Sequence, residues 1–564
     1  MFARRGWQPA PAPAPAPAAS GPRARLRRIA HSTVFRVAVV LAAVTGLWLG
    51  GAALWATVLS RLHLHRHLSW YGLGLYGLAP SQQCESFEPR VPSLEFPRWD
   101  ARCSQDPVFF GWRGHEVDEP GAVILDAHGD LVWRNTDAAN IDQNDVRPQL
   151  YRGERFLTFQ MDGPAGNQSQ GYWYMLDQSY QVRHRLRPGN GLPHADMHEF
   201  QLTADDTALV ITTIPVAHDL RSVGGPAHGW LEACFLQELD VETGAVLFQW
   251  AALDHFAPNT TMEVQNNCLI DPRARFAGCG DSADTAFDYL HLNSVAKDSL
   301  GNYLVSARNI WAVSYIDGTT GAVLWSLGAG AVNDFEDITD PATTGGHYAL
   351  DFAWQHHARW VEEGRVLSLF DNHYHRMGDP YGASGGRVLE LDVPNRTVRL
   401  RHLLQHPNHI KPESQGNTQH LDNGNYMVGW GSSGAFTEFA PDGEVLCDGR
   451  FGAEVAFEFS PVSSYRVFRG AWVGMPTYPP SVAVVGNKAY VSWNGATEVD
   501  RWQVESLAQA EEDEEQVQVV VLAQVFKDGF ETVIDLPKAA ANSHIRIVAL
   551  SKDDERLGTT DFLE

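Results

Sequence analysis

A strand–turn–strand unit that recurs along the chain limits the fold more than any other feature. It is clearest in 288–327, DYLHLNSVAKDSLGNYLVSARNIWAVSYIDGTTGAVLWSL, which reads as four short strands. Tyr289 to Val295 carries His291 and Asn293, and a turn at Asp298-Ser-Leu-Gly-Asn302 leads into the apolar run Tyr303 to Ser306. Ala312 to Ile316 alternates, Asp317-Gly-Thr-Thr-Gly321 turns the chain, and Val323 to Trp325 closes the unit. The closing hairpin reappears as Val123-Ile-Leu-Asp126 with Gly129 to Trp133, as Trp173 to Asp177 with Gln181 to Arg185, and as Gln237 to Asp240 with Gly244 to Trp250. Val388 to Asp392 with Thr397 to Leu400, and Phe436 to Phe439 with Asp442 to Leu446, bring the copies to six. The repeat predicts an all-β, six-bladed β-propeller; the competing fold is a sandwich of ordinary hairpins. A single blade cannot bury both faces, so stacking the blades around an axis supplies the core.

The flanks have a different grammar. Seven arginines and no acid precede position 37, and Pro9 to Ala18 is a Pro-Ala run, so 1–36 is expected to be a disordered basic cytosolic tail. Residues 37–60 carry no charge, and 24 residues at 1.5 Å rise suffice for a bilayer of roughly 30 Å, which predicts a transmembrane signal anchor. The positive-inside rule makes it single-pass type II, with the bulk of the chain lumenal or extracellular in the secretory pathway. The lead-in is placed at 61–106, the propeller at 107–485, and a β-sandwich-like C-terminal module of fibronectin type III-like composition at 486–564. Sequons at Asn167, Asn259 and Asn395 predict a glycoprotein. All six cysteines lie beyond the apolar span, so disulfides are expected, with Cys84–Cys103 and Cys268–Cys279 favoured by closeness in sequence. The acidic run 511–515 reads as a solvated loop rather than a calcium loop. A net charge of −25 argues against nucleic acid as a partner.

Candidate chemistry emerges when the repeats are aligned. His198 precedes Asp205, His291 precedes Asp298, His356 precedes Glu363 and Gln415 precedes Asp422, each by seven residues. The same offset in separate blades converges on one volume, so His198, His291, His356 and Gln415 form a candidate ring, joined by His357, Asn293 and Asn417. Each histidine also has a structural reading as a capping residue. Three imidazoles could ligate zinc or copper, but no metal site is expected from these spacings. Arg308 and, beyond Asn372, Arg376 are candidate anion clamps, because a guanidinium fork matches sulfate or phosphate oxygens.

The segments HLNSVAKDSLGNYLVSARN, FAWQHHARW followed by LSLFDN, QGNTQHLDNGNYMVGWG and HEFQLT resemble the arylsulfotransferase family of six-bladed propellers, in particular its largely eukaryotic branch. The resemblance implies transfer of a sulfuryl group from an aryl sulfate to a phenolic acceptor through a sulfated histidine, with no nucleotide sulfate donor and no cofactor. It also implies that His291 and His356 fall on the family's channel histidines and that Arg376, or Arg308, falls on its sulfate-binding arginine. His198, Asn293, His357, Asn372, Gln415 and Asn417 become substrate contacts. In the bacterial enzymes the nucleophilic histidine comes from a later blade, where this chain has Gln415, with His420 five residues on; the role then falls to His420, His356 or His291. The rival readings are a non-catalytic membrane-anchored or secreted binding scaffold and a quinone-dependent dehydrogenase.

Overall fold

The computed structural model describes residues 68–136, 141–163, 167–263, 278–373, 384–507, 519–540 and 544–563. The expected span 37–60, the acidic run 511–515 and Arg376 lie outside these. Among the described residues no helix is long and apolar enough to cross a membrane. Two compact units divide at Ser69, and everything below concerns Trp70–Glu564.

The chain is all-β, as the repeat predicts. Sheet A pairs Val467–Arg469, Val108–Trp112, Gly121–Leu125 and Leu131–Arg134 in that order. Sheet B runs Gln143–Tyr151, Glu154–Gly163, Asn167–Leu176, Val182–Leu186, and sheet C runs Phe200–Leu202, Thr207–His218, Gly229–Asp240, Val246–Ala251. Sheet D holds Leu292–Lys297, Tyr303–Ala307, Ala312–Ile316 and Val323–Gly328. Sheet E holds His356–Glu362, Val366–Asp371, Gly385–Asp392 and Thr397–Gln405, and sheet F holds Asn417–His420, Tyr426–Gly429, Ala435–Phe439 and Val445–Arg450. Each hairpin read from the sequence is formed by the third and fourth strands of its sheet in the order given, and in sheet E Glu336–Asp337 pairs parallel beyond the fourth. The recurring aspartate has a local cause. Asp317 Oδ1 accepts the Thr319 and Thr320 N–H groups at 3.0 and 2.7 Å, ahead of Gly321 at φ +76°.

Apolar runs here are buried on both faces. In Tyr303–Ala307, Tyr303, Val305 and Ala307 pack toward sheet C while Leu304 packs toward sheet E. One buried apolar cluster fills each junction, A with B, B with C, C with D, D with E, E with F and F with A. The first strands are linked by hydrogen bonds in the same order. Arg466 Nη1 donates to Asp145 Oδ1 at 2.8 Å, and Gln149 Nε2 donates to the Phe200 carbonyl at 2.8 Å. Val295 N–H donates to Glu199 Oε2 at 3.1 Å, and Ala358 N–H to Ser294 Oγ at 2.9 Å. His357 Nδ1 meets the Thr418 carbonyl at 3.1 Å. Asn417 returns the circuit to sheet A, donating to the Val467 carbonyl at 2.8 Å and accepting its N–H at 2.9 Å.

Glu95–Arg98 adds a fifth strand beside Val445–Arg450. That pairing carries Cys103 to sheet F, where it is disulfide-bonded to Cys447. The expected Cys84–Cys103 pair is therefore wrong: proximity along the chain lost to strand addition, and Cys84 is a free thiol. Cys279 is disulfide-bonded, while Cys268 lies outside the described residues. Of the sequons, Asn259 and Asn395 are exposed.

Beyond sheet A, the strands Ser481–Val485, Lys488–Ser492 and Glu531–Asp535 form one antiparallel sheet, and Val519–Phe526, Arg501–Leu507, Ile545–Leu550 and Arg556–Thr559 form another. They share a core containing Trp502, Ile534 and Ile547. This layer is joined to sheet A by the reciprocal amide pair of Asn494 with the Arg134 backbone, at 2.9 Å each way.

Candidate functional site

The shared offset before the turn acid sets His198, His291, His356 and Gln415 at the entrance of their first strands. His291 and Gln415 have left-handed backbone, φ 56° and 68°, so the chain bends there before the ladder begins. The His198 and His291 rings meet edge to face with centroids 4.7 Å apart. His198 and His356 both pack edge-on against Tyr465, at 5.4 and 6.5 Å.

The three imidazoles have different supports. His198 Nδ1 bonds Asp196 at 2.6 Å and His291 Nδ1 bonds Asp288. His356 Nδ1 instead bonds Asn372 Oδ1 at 2.6 Å, and its Nε2 accepts the Gln415 N–H at 3.2 Å. The accepted N–H requires the lone pair on Nε2, so the proton of neutral His356 is on Nδ1. Asn372 is held in turn, donating to the Pro412 and Gln415 carbonyls at 3.2 and 3.0 Å. Burial, then Arg308, then His291 push the His356 pKa well below the usual imidazole range, so the ring is neutral. Burial lowers His291 as well, against the opposing pull of Asp288. Burial pushes the Asp288 carboxyl upward, but the His291 charge and hydrogen bond outweigh it and keep it ionised.

Arg308 N–H donates to the His291 carbonyl at 3.0 Å, and its guanidinium lies 4.9 Å from the Trp354 ring centroid. Nη1 bonds Asn309 Oδ1 at 2.8 Å, and Glu263 stands 3.8 Å away. Burial lowers the Arg308 pKa, with Glu263 and Asp288 opposing. A desolvated guanidinium beside His291 and His356 is suited to hold an oxyanion.

The structure brings together His198, His291, His356, Gln415, Asn372 and Arg308, with Asn293 next to them, donating to the Gln355 carbonyl at 2.7 Å. It does not bring Asn417, whose amide is spent on the Val467 backbone. His357 and His420 also turn elsewhere: both line a separate cavity, and His420 packs tilted against Tyr426 with centroids 5.0 Å apart. Their side of the strand explains it. Asn417 and Gln419 reach sheet A, while Thr418, which His420 follows by two residues, reaches back to sheet E, so His420 has the opposite parity and the far end of the strand.

Sequence reading missed Arg113 and Tyr465, and also Asp196 and Asp288, although the last two carry a local signal. Arg113, just past Val108–Trp112, donates from Nη2 to Gln415 Oε1 at 2.7 Å and sits 3.6 Å from Asp142. Tyr465, just before Val467–Arg469, lies under the histidines, and burial raises its pKa. Both arrive with strands drawn from opposite ends of the chain, so no local spacing marks them. The carboxylates Asp196 and Asp288 were visible as Asp-x-His and Asp-x-x-His. Below Tyr465, Arg466, Arg147 and Arg359 share Asp145 and Glu199 in a buried ion network. Among the described residues no three His, Cys, Asp or Glu side chains gather as a metal site.

Solved structures with local likeness include a protein of unknown function from Bacteroides caccae, at 13% identity over 64% of this chain and 98% of that one with a TM-score of 0.34. Kuenenia stuttgartiensis hydrazine synthase gives 11% identity over 57% and 71% with 0.29, and virginiamycin B lyase from Staphylococcus aureus gives 8% over 82% and 98% with 0.27. Scores this low bear on neither fold nor function. No curated protein matches the chain. A model of the arylsulfotransferase (ASST) family matches residues 147–452, more than half of the 564 residues, and that stretch contains His198, His291, His356, Arg308, Asn372 and Gln415. The chain belongs to the arylsulfotransferase family.

Proposed function

We propose that the six sheets are the blades of a propeller and that the chain transfers a sulfuryl group from an aryl sulfate to a phenol through His356, without a nucleotide donor. The hydrogen-bond circuit and the cluster at every junction support the first part; the amide-held His356 carries the second. A nucleophilic imidazole must keep its lone pair, and His356 is the ring at this site backed by a neutral amide rather than a carboxylate. In the forward step Nε2 attacks sulfur as the S–O bond to the aryl group breaks. In the imidazolium form of His291 the Nδ1–H stays on Asp288 and the Nε2–H passes to the leaving aryloxide, while the Nδ1–H of sulfated His356 remains on Asn372. The acceptor phenol returns its proton to His291 as its oxygen attacks the same sulfur, which releases His356. Arg308 holds the sulfuryl oxygens, and the Gln415 N–H, already 3.2 Å from Nε2, donates to one of them. Asp288 orients His291; His198 with Asp196 forms a second carboxylate-backed base.

The test is release of 4-nitrophenol from 4-nitrophenyl sulfate in the presence of phenol. His356→Ala is expected to lower the rate at least about 10³-fold and His291→Ala about 10²-fold. The Gln415 N–H on the His356 lone pair favours a second reading, a binding scaffold of the same fold. Absence of nitrophenol release from the unaltered chain with every phenol tried would select that reading.

The membrane-anchored, lumen-facing placement and the eukaryotic-type affiliation belong to the same proposal. A disulfide joining residues 344 apart and the exposed sequons Asn259 and Asn395 suit an oxidising, glycosylating compartment. Glycosidase sensitivity of the chain expressed in a eukaryotic secretory pathway is expected, and a smaller mass shift on glycosidase treatment of Asn259→Gln with Asn395→Gln checks the two exposed sites.

A further inference from the structure

A cavity of about 640 Å³ opens at the other ends of the first strands, on the far side of the buried ion network from the histidines. Arg147, Arg155, Arg359 and Arg469 line it, against one lining carboxylate, Asp422. Arg147 and Arg359 are paired with Asp145 and Glu199, and Arg469 with Glu438, so Arg155 is the lining guanidinium left to attract an anion. Several donors of its lining residues are buried without hydrogen-bond partners: Arg147 Nε, Arg469 Nη2, Trp360 Nε1 and Ser368 Oγ. Arg147, Arg469 and Ser368 are each at least nine-tenths buried, at 7%, 2% and 1% exposure. Buried polar groups are normally paired, and a buried donor that is not costs stability; these donors belong to residues that line the cavity, and an acceptor-rich ligand satisfies those that a side-chain rotation brings to its wall. Arg155 makes no ion pair with any described carboxylate. Trp360 and Phe468 add aromatic surface to the same walls.

We propose that this cavity is a second ligand site, separate from the histidine cluster, that binds a small aromatic oxyanion. Its volume is in the range of small-molecule sites. The guanidinium groups and the Trp360 and Ser368 donors take the oxygens, and the Trp360 and Phe468 rings take the apolar body. Gln201 Oε1, also buried and unpartnered, accepts a hydroxyl on the bound molecule. The site does not depend on the sulfuryl-transfer reading, because none of these side chains contacts the three imidazoles of the cluster.

Benzenesulfonate, which has no ester to cleave, is the probe, with benzamidine as the cationic control. Binding is measured calorimetrically on the full chain carrying Arg308→Ala and His356→Ala, which removes the anion clamp and the imidazole of the other site. The proposal expects benzenesulfonate to bind this double variant and benzamidine not to. Adding Arg155→Glu is expected to weaken benzenesulfonate at least about tenfold, the effect of losing one charge-assisted contact. Ala204→Trp is the steric counterpart: Ala204 is exposed and lines the cavity, so the indole fills the space without entering the core. No benzenesulfonate binding by the double variant, equal binding of benzamidine, or binding unaffected by both Arg155→Glu and Ala204→Trp would overturn the proposal.

Discussion

His356 and His291 differ by one atom in what holds them, and that difference divides their roles. An amide oxygen on Nδ1 leaves His356 uncharged, whereas on His291 a carboxylate opposes the lowering of the pKa by burial. Because burial, Arg308 and His291 place the His356 pKa well below 6.5, the fraction of neutral ring stays near one as pH falls through the range where an ordinary histidine titrates. The transfer rate is therefore expected to show no His356 limb down to about pH 6. Asn372→Asp puts a negative charge on Nδ1 and favours the imidazolium. Its acidic limb is expected to move up by one pH unit or more, with activity lowest at acidic pH and recovering as pH rises. A pH–rate profile of the two proteins checks this, and an unmoved limb would mean that Asn372 does not govern the ring. The convergence of these histidines was legible because a common offset from the turn acid fixes their level. Arg113 and Tyr465 were not, because neither belongs to the repeat: each flanks a strand of the sheet built from both chain ends.

The hairpins were legible because their cause is local, an aspartate capping each turn beside alternating apolar residues. The first strands were harder to read. Val467–Arg469 is three residues long, and its partner Val108–Trp112 is more than three hundred residues away, so only the closed arrangement reveals the pair. Asn417 illustrates how a polar residue on such a strand is misread. Its spacing marked it as a substrate contact, yet its amide replaces a missing ladder partner for Val467. Asn417→Ala leaves both Val467 backbone groups buried and unpaired, at about 1–3 kcal/mol for each orphan. A denaturation midpoint lowered by that amount with KM unchanged is expected. A changed KM with unchanged stability would return Asn417 to the site.

Across the whole molecule, His356 and His357 are both buried and held well below 6.5, so the folded state binds fewer protons than the unfolded chain below that pH. Stability is thus full above about pH 6.5 and falls as pH drops, at up to about 1.4 kcal/mol per pH unit for each ring. Equilibrium denaturation at pH 7.5 and 5.5 tests the sign, and His357→Gln should flatten the slope. The central claim, a sulfuryl group carried on His356, is tested most directly by mixing the protein with 4-nitrophenyl sulfate and no acceptor, quenching, and mapping the modified peptide by mass spectrometry. The account predicts one sulfuryl increment on His356, formed with a burst of nitrophenol and removed when phenol is added. Nitrophenol turnover with no modified histidine, or an increment on His291 or His198 instead, would contradict it.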